Sequence, residues 1–388
     1  MTIRPDYLPF GRPNFSSDEI EAVVKVMQSG WIGMGAETIA FEKELAEYVG
    51  APHVVAVNSC TSALFLALLS LGVGPGDEVI CPSLTWCSTA NAVNYCGATP
   101  VFCDVDRQTF SVTPETILVA VTNRTKAVMV VHYGGLAVDV AAIRRALPDH
   151  VVIIEDAAHA LGSSYPNGLQ VGSSGNLVCY SFYANKNLST GDGGAIAVPA
   201  ADTCERLKTL SRQGLSSDAW KRFTHPQTAL IPGISELGYK MNFTDLLACI
   251  GRIQLKRQGE FHATRLEIAE VYHKRISLSG LDIGFQTGML SVGHARHLFV
   301  VKLPIENMKF SRDDVVLALR AKNIGASIHY APLHSMPLFA ETSRANLDTT
   351  DFLSQRIMTL PISASMTRDD ADYVIDHLFQ LLTGRTTA

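Results

Sequence analysis

The sequence predicts an α/β protein: a large domain on a seven-stranded, mostly parallel sheet, then a smaller α+β C-terminal domain. Three observations carry this. From residue 54 to about residue 200, short β-branched runs alternate with helical stretches, the pattern of βαβ units covered on both faces. Beyond about residue 260 the pattern changes to separate strand-like and capped helical segments. The 388 residues are 47% hydrophobic and 18% charged, which exceeds one small module and supplies a large core.

The elements follow in order. Ser16-Ser17-Asp18-Glu19 is a capping-box pattern and Gly30 a stop, so a helix is expected over 16–29. Strands are expected at 54–57, 78–81, 101–104, 127–132, 151–155, 178–182 and 195–198, with helices at 62–71, 85–96 and 138–146 between them. These connections suit right-handed crossovers. A long helix is expected over 244–277, then a strand at 297–303, a helix opening with Ser311 to Asp314, a strand at 326–330 and a last helix opening with Thr367 to Asp370. The division falls near residue 260, giving an N-terminal arm and large domain over 1–258 and a small domain over 259–388.

Composition narrows the function. With 32 basic and 37 acidic residues the net charge is −5, and no basic field exists to hold nucleic acid. The eight cysteines form no C-x-x-C pair, so neither a disulfide framework nor a zinc site is expected. The first ten residues hold no apolar leader, and the longest apolar run, 63–69, is far short of the ~20 residues that cross a bilayer. A soluble, cytoplasmic protein with no metal and no membrane partner is expected.

Four stretches could carry chemistry, three of them at the carboxyl ends of expected strands, where open parallel sheets bind ligands. Asn58-Ser59-Cys60-Thr61-Ser62-Ala63 puts small hydroxylic residues at a helix start, which suits a phosphate. A plain N-cap by Thr61 or Ser62 is the alternative. Glu155-Asp156-Ala157-Ala158-His159 offers a carboxylate for a protonated ring nitrogen, with His159 one helical turn on, or else a capping Asp. Lys186 lies in Ser181-Phe182-Tyr183-Ala184-Asn185-Lys186-Asn187, before Gly191-Asp192-Gly193-Gly194. A lysine partly desolvated in such a loop is nucleophilic enough for imine chemistry, whereas most lysines are solvated surface charges. Trp86, in Pro82-Ser83-Leu84-Thr85-Trp86, could stack on a planar ring or serve as an ordinary rim aromatic. Taken singly, none decides.

Together they make a phosphate cradle, a ring-nitrogen carboxylate, a stacking face and an imine-forming lysine, the parts that hold pyridoxal 5′-phosphate (PLP). The sequence here resembles the DegT/DnrJ/EryC1/StrS sugar aminotransferases, with the PLP-dependent transferase fold type I architecture (aspartate aminotransferase-like). The resemblance runs from Leu8-Pro9-Phe10-Gly11-Arg12-Pro13 to Pro361-Ile362, most densely at Gly76-Asp77-Glu78-Val79-Ile80, Gly97-Ala98-Thr99-Pro100-Val101 and the Asp156 and Lys186 stretches. It implies that Lys186 binds the cofactor covalently and shuttles a proton, and that Asp156 binds the pyridine nitrogen. It implies phosphate ligands Thr61, Ser62 and Ser181, a stacking Trp86, and His159 near the ring. Asn242, in Gly238-Tyr239-Lys240-Met241-Asn242, would enter the partner's site in a homodimer with shared active sites.

Within the family, residues 82–91, Val131-His132-Tyr133, Gly214-Leu215 with Asp218-Ala219-Trp220, and Gly238 to Asn242 look most like enzymes aminating C4 of a UDP-linked 4-keto sugar, the 4-amino-4-deoxy-arabinose branch included. The resemblance thus implies glutamate as donor, 2-oxoglutarate as its product and a nucleotide-linked keto sugar as acceptor. Asp192 for Glu, Ala184-Asn185, and Met34 at a substrate-side position often held by Thr depart from that branch, and His329 and Tyr330 are further substrate-side candidates. Two rivals stand beside this reading. A pyridoxamine-dependent nucleotide-sugar dehydratase would carry His rather than Lys at 186, and a PLP-holding regulatory protein would show no turnover. A nicotinamide oxidoreductase lacks its glycine fingerprint here.

Overall fold

The computed structural model describes residues 3–215 and 233–384, so Asp218-Ala219-Trp220 lies outside the described residues. β1 (His53–Val57), β2 (Glu78–Pro82), β3 (Thr99–Cys103), β4 (Thr125–Val131), β5 (Val152–Asp156), β6 (Leu177–Ser181) and β7 (Gly194–Val198) form one sheet in the order β1-β7-β6-β5-β4-β2-β3. β7 is antiparallel to both neighbours, and the remaining pairs are parallel. All seven expected strands are present, each close to its expected bounds.

Burial explains why these strands are readable. Every residue of β2 and of β7 is buried, so after Glu78 in β2 and throughout β7 the residues are apolar rather than alternating, as in strands covered on both faces. One face packs on a core that includes Phe41, Leu45 and Phe182, the other on a core that includes Leu64, Leu66 and Phe102. Helix Cys60–Ser70 packs into the second core, with seven consecutive buried residues from Ser62 to Leu68.

A second sheet, β8 (Gly284–Phe285), β9 (Phe299–Lys302) and β10 (Ile357–Leu360), is antiparallel in the order β10-β9-β8. It packs a third core with Tyr272, Leu319 and Leu378. Leu8 joins this core and pairs with Ile324, which leads Phe10 toward the large sheet.

Three local expectations are corrected. The 244–277 stretch is two helices, Asp245–Lys256 and Gln258–Leu278, because the chain leaves helical geometry at Arg257. Its guanidinium pairs with Glu19 and Glu260 at 3.1 and 3.0 Å. The strand expected at 326–330 is one bridge, Ser327 to Thr359, since the chain turns out of the sheet to bring His329 and Tyr330 to the site described below. Helix Ala36–Val49 is absent from the expected elements: Glu42, on its inner face, accepts a hydrogen bond from the Ala56 N–H at 2.9 Å and interrupts the apolar pattern. Among the described residues no helix is long and apolar enough to cross a membrane.

Candidate active site

β5 ends at Asp156 and its neighbour β6 ends at Ser181, in the middle of the sheet. A cavity of about 540 Å³ opens at this carboxyl edge, and its lining includes Thr61, Trp86, Asp156, Ser181, Lys186 and Tyr330. The four sequence stretches therefore converge on one place.

The Asp156 carboxylate is held at both oxygens. Oδ1 accepts the Ala158 N–H at 3.1 Å, and Oδ2 accepts the Thr89 hydroxyl at 2.9 Å, which in turn meets Thr85 at 2.9 Å. Burial pushes the Asp156 pKa up, opposed by these two hydrogen bonds and by the charge on Lys186. The adjacent Glu155 faces away from the cavity, bonded to His132 at 2.8 Å, Tyr165 at 2.6 Å and Asn176 at 2.8 Å. Burial alone would raise its pKa, but the bonds from His132, Ser174 and Tyr165 outweigh that and lower it. Glu155 is thus a buried anchor under β5, and Asp156 is the carboxylate left for the cavity.

Lys186 is carried by the loop between β6 and β7. That loop closes on itself through Lys186 N–H to Tyr183 O at 2.9 Å, Thr190 N–H to Phe182 O at 3.0 Å and the Thr190 hydroxyl to Asp192 O at 2.7 Å. Burial lowers the lysine pKa to about 8, with Cys60 and Asp156 acting in the opposite sense. Lys186 is the one lysine among the described residues that line the cavity.

At the cradle, Ser59 caps helix Cys60–Ser70 by accepting the Ser62 N–H at 3.1 Å, and Ser59, Cys60 and Thr61 line the cavity with the positive end of the helix. Gly194 lets β7 pass close by: a Cβ there would stand 2.5 Å from the Ser59 carbonyl carbon and 2.6 Å from Cys60 N. Ser62, next to Thr61, donates its hydroxyl to Asn58 Oδ1 at 2.7 Å and lines a neighbouring pocket together with Ser59 and Thr61.

On the far side, His159 Nδ1 accepts the Gly134 N–H at 3.3 Å, which places its proton on Nε2, donated to Tyr330 Oη at 2.9 Å. Burial, then the Lys186 charge, keeps the His159 pKa well below its usual value, so the ring is neutral. Trp86 is 59% exposed at the mouth, its ring 5.8 Å from that of Tyr330. His329 also lines the cavity. Met34 does not: its carbonyl accepts the Trp31 indole N–H at 3.0 Å. Asn242 likewise lies outside its own chain's cavity, with its amide donating to Phe243 O at 2.9 Å and its backbone bridged to Val57.

Sequence reasoning misses three residues here. Thr89 lies inside a quoted motif, one helical turn from Thr85, yet its bond to Asp156 spans 67 positions. Phe10 reaches the cavity from the N-terminal arm. His297, at 3.4 Å from Lys186 Nζ, gives no local signal at all.

Residues 13–379 match the model of the DegT/DnrJ/EryC1/StrS aminotransferase family. The chain is 39% identical over 387 residues to the spore coat polysaccharide biosynthesis protein SpsC of Bacillus subtilis (strain 168), covering 98% of each chain. A Streptococcus pneumoniae protein assigned as a sugar aminotransferase and solved in its PLP form superimposes with a TM-score of 0.88 at 27% identity, covering 97% of this chain and 99% of that one. DesI, solved in the presence of its TDP-sugar product, superimposes with a TM-score of 0.87 at 27% identity over 99% of this chain and 95% of that one.

Proposed function

The chain belongs to the DegT/DnrJ/EryC1/StrS aminotransferase family, and on that premise we propose a PLP-dependent enzyme that moves an amino group from glutamate to a nucleotide-linked 4-keto sugar. The observation that carries the reading is the convergence of Lys186, Asp156, Thr61 and Ser181 on one cavity. The relatives support the substrate class: one acts in polysaccharide biosynthesis, and another was solved with a nucleotide-sugar product. A lysine at 186 favours amino transfer over the dehydratase alternative, whose members carry histidine there.

The donor set fits the cofactor. A cradle of helix N–H groups beside a glycine that admits no Cβ suits a phosphate, the doubly held Asp156 carboxylate suits a cationic ring nitrogen, and Trp86 and His159 offer planar faces. When bound, PLP supplies an aldehyde for imine exchange and an electron-accepting ring. Thr61, Ser62 and Ser181 would hold its phosphate, and Asp156 would keep its ring nitrogen protonated. Lys186 Nζ would remove the proton from the donor's α-carbon and return one at the cofactor's aldehyde carbon; an amine with a pKa near 8 can do both at neutral pH. Asn242 reaches the partner's cavity across a homodimer interface, and His329 and Tyr330 face the sugar.

Two expected results test this. Glutamate added to the PLP-loaded protein should yield 2-oxoglutarate, and of a panel of UDP-, GDP- and TDP-linked 3-keto and 4-keto sugars the 4-keto members should be aminated fastest. No 2-oxoglutarate, or amination of 3-keto sugars alone, would contradict it. Capture of PLP by cofactor-free protein needs the neutral amine, so its rate should climb with pH and level off above about 8. A rate still climbing toward pH 10.5, the value of an ordinary lysine, would show that Lys186 is not the desolvated amine described here.

A further inference from the structure

We propose that His297 is a positioning residue for Lys186: a neutral imidazole whose Nε2 lone pair holds the free amine of the lysine at one point of the cavity. The proposal rests on the amino-transfer reading and concerns the stage at which Lys186 is released as an amine.

Asn187, the next residue after Lys186, sets the tautomer. Its Nδ2 donates to Ala295 O at 2.8 Å, which leaves Oδ1 as the atom 3.2 Å from His297 Nδ1. An amide oxygen only accepts, so Nδ1 carries the proton and Nε2 carries the lone pair. That lone pair lies 3.4 Å from Lys186 Nζ, which donates to it. Neither partner has room to turn. His297 is 4% exposed, with its ring 4.5 Å from that of His159, and Asn187 is 6% exposed, with its carbonyl accepting the Gln258 amide at 3.0 Å. Burial, with the charge of Lys186 and then the neighbouring His159, Arg265 and His329, holds the imidazole pKa well below its usual value.

The choice of side chain has a chemical reason. A carboxylate at this point would lock Lys186 as an ammonium, and an apolar side chain would leave one of its N–H groups unmatched in a buried site. A neutral imidazole accepts that N–H whether the lysine is charged or not, so the lysine can gain and lose a proton without moving. The loop that supplies the lysine also supplies, through Asn187, the group that orients the histidine.

Nitrogen-15 NMR on protein labelled at histidine, with His297→Gln assigning the signal, reads the tautomer directly. A proton on Nδ1 and a bare Nε2 at neutral pH are expected; a proton on Nε2, or a charged ring, would overturn the proposal. His297→Leu should slow PLP capture by the cofactor-free protein about tenfold and lower kcat about 10- to 100-fold, leaving KM for glutamate nearly unchanged. His297→Gln, which returns an acceptor oxygen, should recover most of both. Wild-type capture by the leucine variant, or equal losses in two variants that melt like wild type, would make His297 a packing residue and overturn the proposal. A wild-type protein that captured no PLP would instead sink the amino-transfer reading, while the tautomer measurement would still decide the histidine.

Discussion

Lys186→Ala is expected to abolish amino transfer, by about 10⁴-fold or more, because one side chain supplies both the covalent attachment of the cofactor and the proton carrier. The same variant should melt no lower than the wild type. Burial lowers the lysine pKa, which means the folded chain bears a cost for its charge that alanine removes. Turnover with glutamate and a thermal melt check the two halves. Activity within about tenfold of wild type would place the chemistry on another group.

Asp156→Asn should lower kcat about 10²- to 10³-fold while preserving the fold, a smaller loss than at Lys186 because cofactor attachment survives. The amide has nearly the shape of the acid and its oxygen can keep one of the bonds from Ala158 and Thr89, but it carries no charge to hold a ring nitrogen in its protonated form. The loss should fall on the proton-transfer half-reaction with glutamate, seen in a single turnover. An unchanged single-turnover rate would mean that the carboxylate serves only to anchor β5.

These two residues are legible in the amino-acid sequence because each ends or follows a strand that is itself legible. The run from Val151 to Ile154 that leads into Glu155 and Asp156 is apolar, and the glycine-rich stretch after Lys186 admits only a loop. The cradle is readable as a helix start but not in detail: the bond from the Ser62 hydroxyl to Asn58 is a contact no pattern encodes. The groups that hold the catalytic pair are hidden for a related reason. Thr89 meets Asp156 across 67 positions, and His297 meets Lys186 across 111, so both contacts exist only once the sheet order has been set. Periodicity likewise shows one long helix at 244–277, because the residue at the break is an arginine, whose bond to Glu19 of the N-terminal helix no local pattern encodes. At 326–330, strand-like composition yields to the pull of the cavity on His329 and Tyr330.

The most direct test of the central claim is chemical. The PLP-loaded protein is reduced with borohydride, digested and mapped by mass spectrometry. The account predicts a phosphopyridoxyl group on the peptide containing Lys186 and on no other lysine. The same group on a different lysine, or an active protein carrying none, would contradict it.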